Sequence, residues 1–323
     1  MEINVGKSGY IGPNNWNLKV SGQLLPKPEY YEYLGLPIIS GGIDWGMYIK
    51  KCALKAGNTL KFLQVKGDIW HPSIRLSLYK SVIRSQWEYA GPLLSRAFGS
   101  LDLKPLEEVQ IKAIAWILGC SKNAAEHYTR LVHSITGLET VFDRLETLSI
   151  LFVYSYRRLD RLNPLLQLVG YITDYPDGIA SKSFVGWKIH YPPVFRRFID
   201  KYWMESSLSG ALYERKVDLL SVVDKKSKSD RIRLITRGAR HPVTGADVSM
   251  YIGNKYLSML AFKWRLSTIY YGTKCKKCRK NFTYKHARGC YGIVDMDQYF
   301  DFKKMKLLCK NLSILNMSMR LGG

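Results

Sequence analysis

The segment Leu103-Lys104-Pro105-Leu106-Glu107-Glu108-Val109-Gln110-Ile111-Lys112-Ala113-Ile114-Ala115-Trp116-Ile117-Leu118-Gly119 reads as one helix. Leu106, Val109, Ala113 and Ile117 recur at the three- and four-residue steps of one helical face. Pro105 suits a first turn, where a backbone N–H has no intrahelical partner in any case. Gly119 stands where a helix stop belongs. Upstream, His71-Pro72-Ser73 predicts a helix start with Ser73 as N-cap, followed by a face of Leu76, Tyr79, Val82, Ile83 and Trp87. Further upstream, Ile43, Met47, Ala53, Leu54, Leu60 and Leu63 roughly follow helical steps, with Gly57 a weak point. Downstream, Thr140 to Leu159 supplies Val141, Leu145, Leu148, Phe152 and Tyr156 at the same spacing. The stretch 46–165 is therefore expected to be a helical unit.

The flanks read differently. In 1–45, Gly6, Gly9, Gly12, Pro13, Gly22, Pro26 and Pro28 punctuate short segments, and Leu18 and Val20 alternate with Lys19 as in a half-buried strand. Tyr30 to Ile39 reads as another strand, interrupted at Gly35 and Pro37. Residues 166–250 are less periodic and read as a mixed connector, with a helix somewhere in Val194–Leu212 and an exposed basic linker over Ser221–Gly245. A last helix is expected over about Val248 to Ile269, then a cysteine cluster and a tail, within a unit 251–323. The predicted fold class is mainly α with a small N-terminal β region, a helical bundle followed by a small zinc-knuckle domain.

Charge narrows the partners. Lysine plus arginine is 49 and aspartate plus glutamate 26 in 323 residues, a net charge of +23, while 46% of the chain is apolar. That apolar share excludes a disordered chain, and 26 glycines and 12 prolines without a period exclude collagen-like repeats. No apolar run reaches the ~18 residues of a membrane span, and Met1 to Pro13 has no apolar core of a signal peptide. The positive charge comes in blocks. Ten basic residues and no acid lie between Lys255 and Cys290, and seven basic residues face one acid, Asp230, between Lys225 and Arg240. Such blocks fit a polyanion, so RNA and/or DNA is the expected partner. No basic helix with a bare apolar face stands out, so a membrane is not.

Six cysteines in 323 residues do not make a disulfide framework. Cys52, Cys120 and Cys309 are isolated and read as small buried apolar groups. The others form Cys275-Lys276-Lys277-Cys278, seven residues, His286, three residues, Cys290. Four soft or borderline donors at compact spacing suit tetrahedral Zn2+, and a site closed by four protein ligands is structural. The alternative is a free cysteine pair beside an ordinary histidine. Lys276, Lys277, Arg279 and Lys280 would stay solvated around the turn. With Lys263, Arg265, Lys274, Lys285 and Arg288 they supply phosphate contacts, and Phe282, Tyr284, Tyr270 and Tyr271 supply stacking faces for single-stranded nucleic acid. Metal-binding thiols point to a reducing compartment, hence an intracellular protein of the cytoplasm and/or nucleus.

Three stretches in order resemble the reverse transcriptases of non-LTR retrotransposons, of the jockey-like group. Asn4-Val5-Gly6-Lys7-Ser8 resembles the N-x-x-K-S segment that follows their catalytic strand, and Tyr33-Leu34-Gly35 resembles their primer-gripping Y-L-G segment. Leu78-Tyr79-Lys80, Tyr89-Ala90-Gly91-Pro92, Leu106-Glu107, Gln110 and Ile117-Leu118-Gly119 look like their thumb, and a knuckle follows. The resemblance implies palm and primer-grip strands in 1–45, a thumb in 46–165, a nucleic-acid contact at Lys7, and RNA, DNA or an RNA–DNA duplex as ligand. The family's adjacent aspartates are missing, since no two aspartates are neighbours anywhere in the chain. Two-metal polymerisation needs such a carboxylate cluster. No catalytic residue is therefore assigned, and the expectation is a C-terminal fragment that binds without polymerising alone. Alternatives are a subunit completing a palm supplied in trans, or an independent zinc-dependent nucleic-acid-binding protein. Asp295-Met296-Asp297 is the best metal-like pair for a separate hydrolase or transferase site, and D-x-D is a common pattern.

Overall fold

The computed structural model describes residues 4–12, 16–67, 69–94, 102–157, 197–198, 200–202, 207–220, 240–266, 274–275, 277–280, 289–291 and 299–320. These are mainly helical, with two small antiparallel sheets near the N-terminus. Strand β1 (Lys19–Val20) pairs with β2 (Gln23–Leu24). Strands β3 (Tyr31–Tyr33), β4 (Leu36–Ile39) and β5 (Gly42–Ile43) form the second sheet in that order, with Tyr33 opposite Leu36 and Ile39 opposite Gly42. The strand expected over Tyr30–Ile39 is thus a hairpin. Leu34 (φ +50°) and Gly35 (φ +81°) are both left-handed, as a two-residue turn matching the twist of its strands requires. Glycine adopts that conformation freely and leucine at a cost. Pro37 has no N–H to donate, but its carbonyl accepts from Asp44 N (2.9 Å), and Asp44 O in turn accepts from Tyr48 N (3.0 Å). The sheet hands over to helix at that point.

Helix α1 (Trp45–Lys66) is N-capped by Asp44, whose Oδ1 accepts from Met47 N at 2.8 Å. It buries Tyr48, Ile49, Cys52, Ala53, Ala56, Leu60 and Leu63. The face read from the sequence needs correction: Ile43 belongs to β5, and Met47 and Leu54 point to solvent. The helix carries apolar residues on two sides, and the side that meets α5 takes the core. Helix α2 (Pro72–Leu78) starts two residues earlier than a cap at Ser73 would give. Pro72 occupies the first turn, and His71 rather than Ser73 is the cap, its Nδ1 accepting from Ser73 N at 3.2 Å. His71 Nε2, 2.7 Å from Ile252 O, then serves as the donor that ties this end to the C-terminal region.

The run continues through a π turn (Tyr79–Ile83), α3 (Ser85–Glu88) and α4 (Gly91–Leu94). Arg84 N reaches back five residues to Tyr79 O (2.8 Å), the mark of a π bulge. Leu76, Tyr79, Ile83 and Trp87 are buried as read, whereas Val82 is exposed. Helix α5 (Lys104–Leu118) runs through the middle, packed by α1, α2, α6 (Lys122–His127), α7 (Thr129–Thr136) and α8 (Val141–Arg157). Leu106, Ile114 and Ile117 are fully enclosed, each contributing ~1.5–3 kcal/mol. Gly119 ends α5 at φ +63°, with Cys120 N bonded to Ala115 O, a Schellman-type stop.

Buried polar groups knit the helices. Tyr79 Oη donates to Gln110 Oε1 (2.5 Å), and Gln110 Nε2 donates to Glu139 O (2.8 Å). Arg215, on helix α9 (Leu208–Leu220), reaches Glu139, Thr147 and Glu146 on the α7–α8 side. Of the range Val194–Leu212 expected to hold a helix, residues 197–198 and 200–202 are helical, and α9 begins inside the same range and runs on to Leu220. At the end of the expected linker Pro242 and Val243 are exposed as read, but Arg240 is not. Arg240 is buried, donating to Ser134 O, Leu220 O and Gly245 O, because a guanidinium can satisfy several stranded carbonyls at once. Residues 158–196 and 221–239 lie outside the described residues.

The expected helix over Val248–Ile269 is broken in two. A 3-10 turn (Val248–Tyr251) is followed by Gly253 and Asn254, and Asn254 caps α10 (Lys255–Arg265) through Tyr256 N and Leu257 N. The expected tail is instead helix α11 (Met305–Arg320), which buries Leu308, Leu312 and Leu315. Among the described residues no helix is long and apolar enough to cross a membrane.

Candidate metal centre and its basic surround

The C-terminal core is built by α10 and α11. Leu260, Ala261 and Trp264 of α10 meet Leu308, Leu312 and Leu315 of α11, with Val248, Ile252 and Phe300. Cys275 is completely buried in the same cluster, so the cysteine turn is anchored on two helices. Cys275 N donates to Lys280 O (2.7 Å) and Arg279 N to Cys275 O (2.7 Å). Arg279 is left-handed at φ +56°, which folds the chain back directly after Cys278. The tight turn brings the two thiols to one side. Cys290, in a helical turn with Gly289 and Tyr291, completes the group.

The three thiol sulfurs lie within 4.8 Å of one another and are close enough to hold a metal ion. Tetrahedral Zn–S bonds of ~2.3 Å place sulfurs about 3.8 Å apart, so small side-chain adjustments suffice. Burial pushes the Cys275 thiol up, but hydrogen bonds from the Cys278 and Lys277 backbone and the Tyr291 hydroxyl outweigh it and bring it down to about 7. Cys275 Sγ is 3.7 Å from Tyr291 Oη. Cys290 is pushed up to about 11, by burial first and then by the two neighbouring sulfurs, which discourage a second and third negative charge. Such a set is easily ionised once and resists further ionisation until a cation arrives. The donor chemistry fits a thiophilic divalent ion.

Of the other residues singled out from sequence, Lys274, Lys277, Arg279 and Lys280 are exposed around the turn, and Lys277 Nζ sits 5.2 Å over the Tyr291 ring. Lys263 is exposed on α10. Arg265 points the other way. It is buried against Asp247 (3.0 Å) and lies 3.8 Å over the Phe300 ring, so it is committed to the interior and is not a phosphate contact. His286, Lys276, Phe282, Tyr284, Lys285 and Arg288 lie outside the described residues, as do Tyr270 and Tyr271. Lys7 closes a single 3-10 turn (Val5–Lys7). Tyr33, Leu34 and Gly35 form the β3–β4 hairpin tip, where Tyr33 and Leu34 are exposed.

Sequence reasoning missed one basic face. Helix α11 packs on α10 beside Cys275 and carries exposed Lys306 and Lys310, and the 3-10 turn before it (Phe302–Lys304) adds exposed Lys303 and Lys304. The signal was there: no acidic residue follows Asp301. Compared with known protein families, with curated proteins and with solved structures, the chain matches none of them.

Proposed function

We propose that this chain binds nucleic acid, that Cys275, Cys278, His286 and Cys290 hold a structural Zn2+, and that it derives from the C-terminal part of a non-LTR retrotransposon reverse transcriptase. One observation carries the reading: three thiols converge within 4.8 Å at a turn whose exposed side chains are Lys274, Lys277, Arg279 and Lys280. A bound ion would cross-link the turn to the Cys290 segment and present those cations as one rigid surface. The ligand is RNA or DNA, as a single strand or an RNA–DNA duplex. The support for the ancestry is the order of the Asn4–Ser8, Tyr33–Gly35, thumb-like and knuckle segments along the chain. With no adjacent aspartates, the protein does not extend a primer by itself.

The test combines metal analysis with binding. Purified protein should hold one zinc, and Cys278→Ser should lose it. If about four to six phosphates are neutralised, log K for a single strand should fall with log salt at a slope of roughly −3 to −4. Replacing Lys274, Lys277, Arg279 and Lys280 by Ala should flatten that slope by up to about 3. A slope left untouched by the quadruple change, or metal content unaffected by Cys278→Ser, overturns the reading. Magnesium-dependent primer extension by the chain alone would overturn its non-catalytic part.

A further inference from the structure

Helix α1 packs its inner side on α5 and turns its outer side to solvent. Met47, Leu54, Phe62 and Val65 lie on that outer side, 36%, 68%, 66% and 80% exposed. With Lys51 and Asn58 between them they form one row, in steps of four, three, four, four and three residues. The steps average the period of the α-helix itself, so the row runs straight for ~27 Å within an arc of about 80°. The expectation that no basic helix carries a bare apolar side fails here, because α1 divides its apolar residues between two sides and α5 covers one.

Lysines line both edges of the row, exposed Lys50 and Lys61 on one and exposed Lys55 and Lys66 on the other. The helix contains no acidic residue. Lys51, inside the row, pairs with Glu32 of β3. Lys50, Lys55, Lys61 and Lys66 pair with no carboxylate among the described residues. We propose that the outer side of α1 is a docking surface for an amphipathic α-helix of another protein, one whose apolar side is edged by aspartates or glutamates.

The row and its edges select that occupant. A row at the helix period is a seam for a second helix, whose side chains enter the spaces between successive turns. The edge lysines call for carboxylates on the incoming helix, since charges flanking a seam choose its partner. They also exclude a second copy of this chain, because two such sides would set lysine against lysine. Lys51 and Asn58 interrupt the row. A helix can answer them with polar side chains of its own, whereas hydrocarbon would strip them of water and offer no partner. A phosphate backbone would meet the lysines but leave Leu54, Phe62 and Val65 in water. Packing on α5 already holds α1 in shape, so docking costs it no ordering. The inference is independent of the zinc site and of the nucleic-acid binding proposed above.

The test uses the full chain and two synthetic helical peptides of the length of α1. Both carry a leucine row at the same steps; one has glutamates along its edges and the other lysines. Fluorescence anisotropy measures binding. The glutamate peptide should bind, more weakly as salt is raised, and the lysine peptide should not. Leu54→Gln combined with Val65→Gln should weaken the glutamate peptide at least tenfold, since two anchors are lost without a change of charge. Glutamine is a good helix former at exposed sites, so this variant should melt with the parent. Replacing Lys50, Lys55, Lys61 and Lys66 by Ala should remove most of the salt dependence. No binding of the glutamate peptide, equal binding of both peptides, or affinity indifferent to the double glutamine change overturns the proposal. Phosphatidylcholine–phosphatidylserine vesicles and a short single-stranded RNA serve as competitors. Either one displacing the peptide, and weakened as much by the double glutamine change, assigns this side to lipid or to nucleic acid and overturns the helix partner. Cys278→Ser should leave peptide binding unchanged, so the two proposals fail separately.

Discussion

Replacing Lys80 by Met should stabilise the protein at neutral pH, by a margin that shrinks as the pH rises. Burial and the charges of Lys216, Arg84 and Arg144 hold Lys80 down to about 7, against ~10.4 for a lysine in an unfolded chain. Between those values the unfolded chain keeps a proton that the folded chain has released. Wild-type stability should therefore rise with pH across that window, while below about pH 7 the penalty is complete and flat. The slope is at most ~1.4 kcal/mol per pH unit and the full penalty at most ~5 kcal/mol; solvent reaching the amine reduces both, so a net gain of about 2 kcal/mol is expected near pH 7. Urea unfolding of the parent and the variant, from about pH 6 to about pH 9 at low salt, measures it. Taking the difference between the two proteins cancels groups of opposite sign, such as the Cys120 thiol, which burial pushes up to about 11. A stability gap that stays constant from about pH 7 to about pH 9, or a parent more stable than the variant at pH 7, would refute the argument.

Three further outcomes are expected. Gly137→Ala should cost ~3 kcal/mol or more, seen as a lower unfolding midpoint, because the residue is at φ +64° and a Cβ would lie 2.5 Å from Ala246 N. Asp247→Ala should cost ~3–5 kcal/mol by leaving Arg265 buried without its partner, and adding Arg265→Met should recover much of the loss in the same denaturation assay. His133 is held below its ordinary value chiefly by burial, opposed by its 2.8 Å bond to Leu138 O. The unfolded chain therefore takes up a proton that the folded chain refuses as pH falls below about 6.5. Stability should drop on acidification from there, and His133→Asn should flatten that drop; an unchanged acid limb would count against it.

Local periodicity determined much of this protein from sequence alone. Helix α5 has the bounds expected for it, because a proline-marked start, a four-residue apolar face and a C-terminal glycine all act within one segment. The mainly helical body behind a small β region was legible for the same reason, as was the pairing of Cys275 with Cys278 in one turn. Other features depended on what lies far away in the chain. Which of two apolar faces of α1 enters the core was decided by α5, not by α1. Arg265 looked like part of a basic surface until Asp247, eighteen residues earlier, was folded against it. Cys290 reaches the other two thiols only because α10 and α11 pack around Cys275. Arg84 and Arg144, sixty positions apart, meet on the carboxylate of Glu88, and no spacing rule links them. Secondary structure follows from neighbours within a turn or two of chain, whereas charge and metal-ligand clusters follow from how whole helices pack, and a linear pattern holds little record of that.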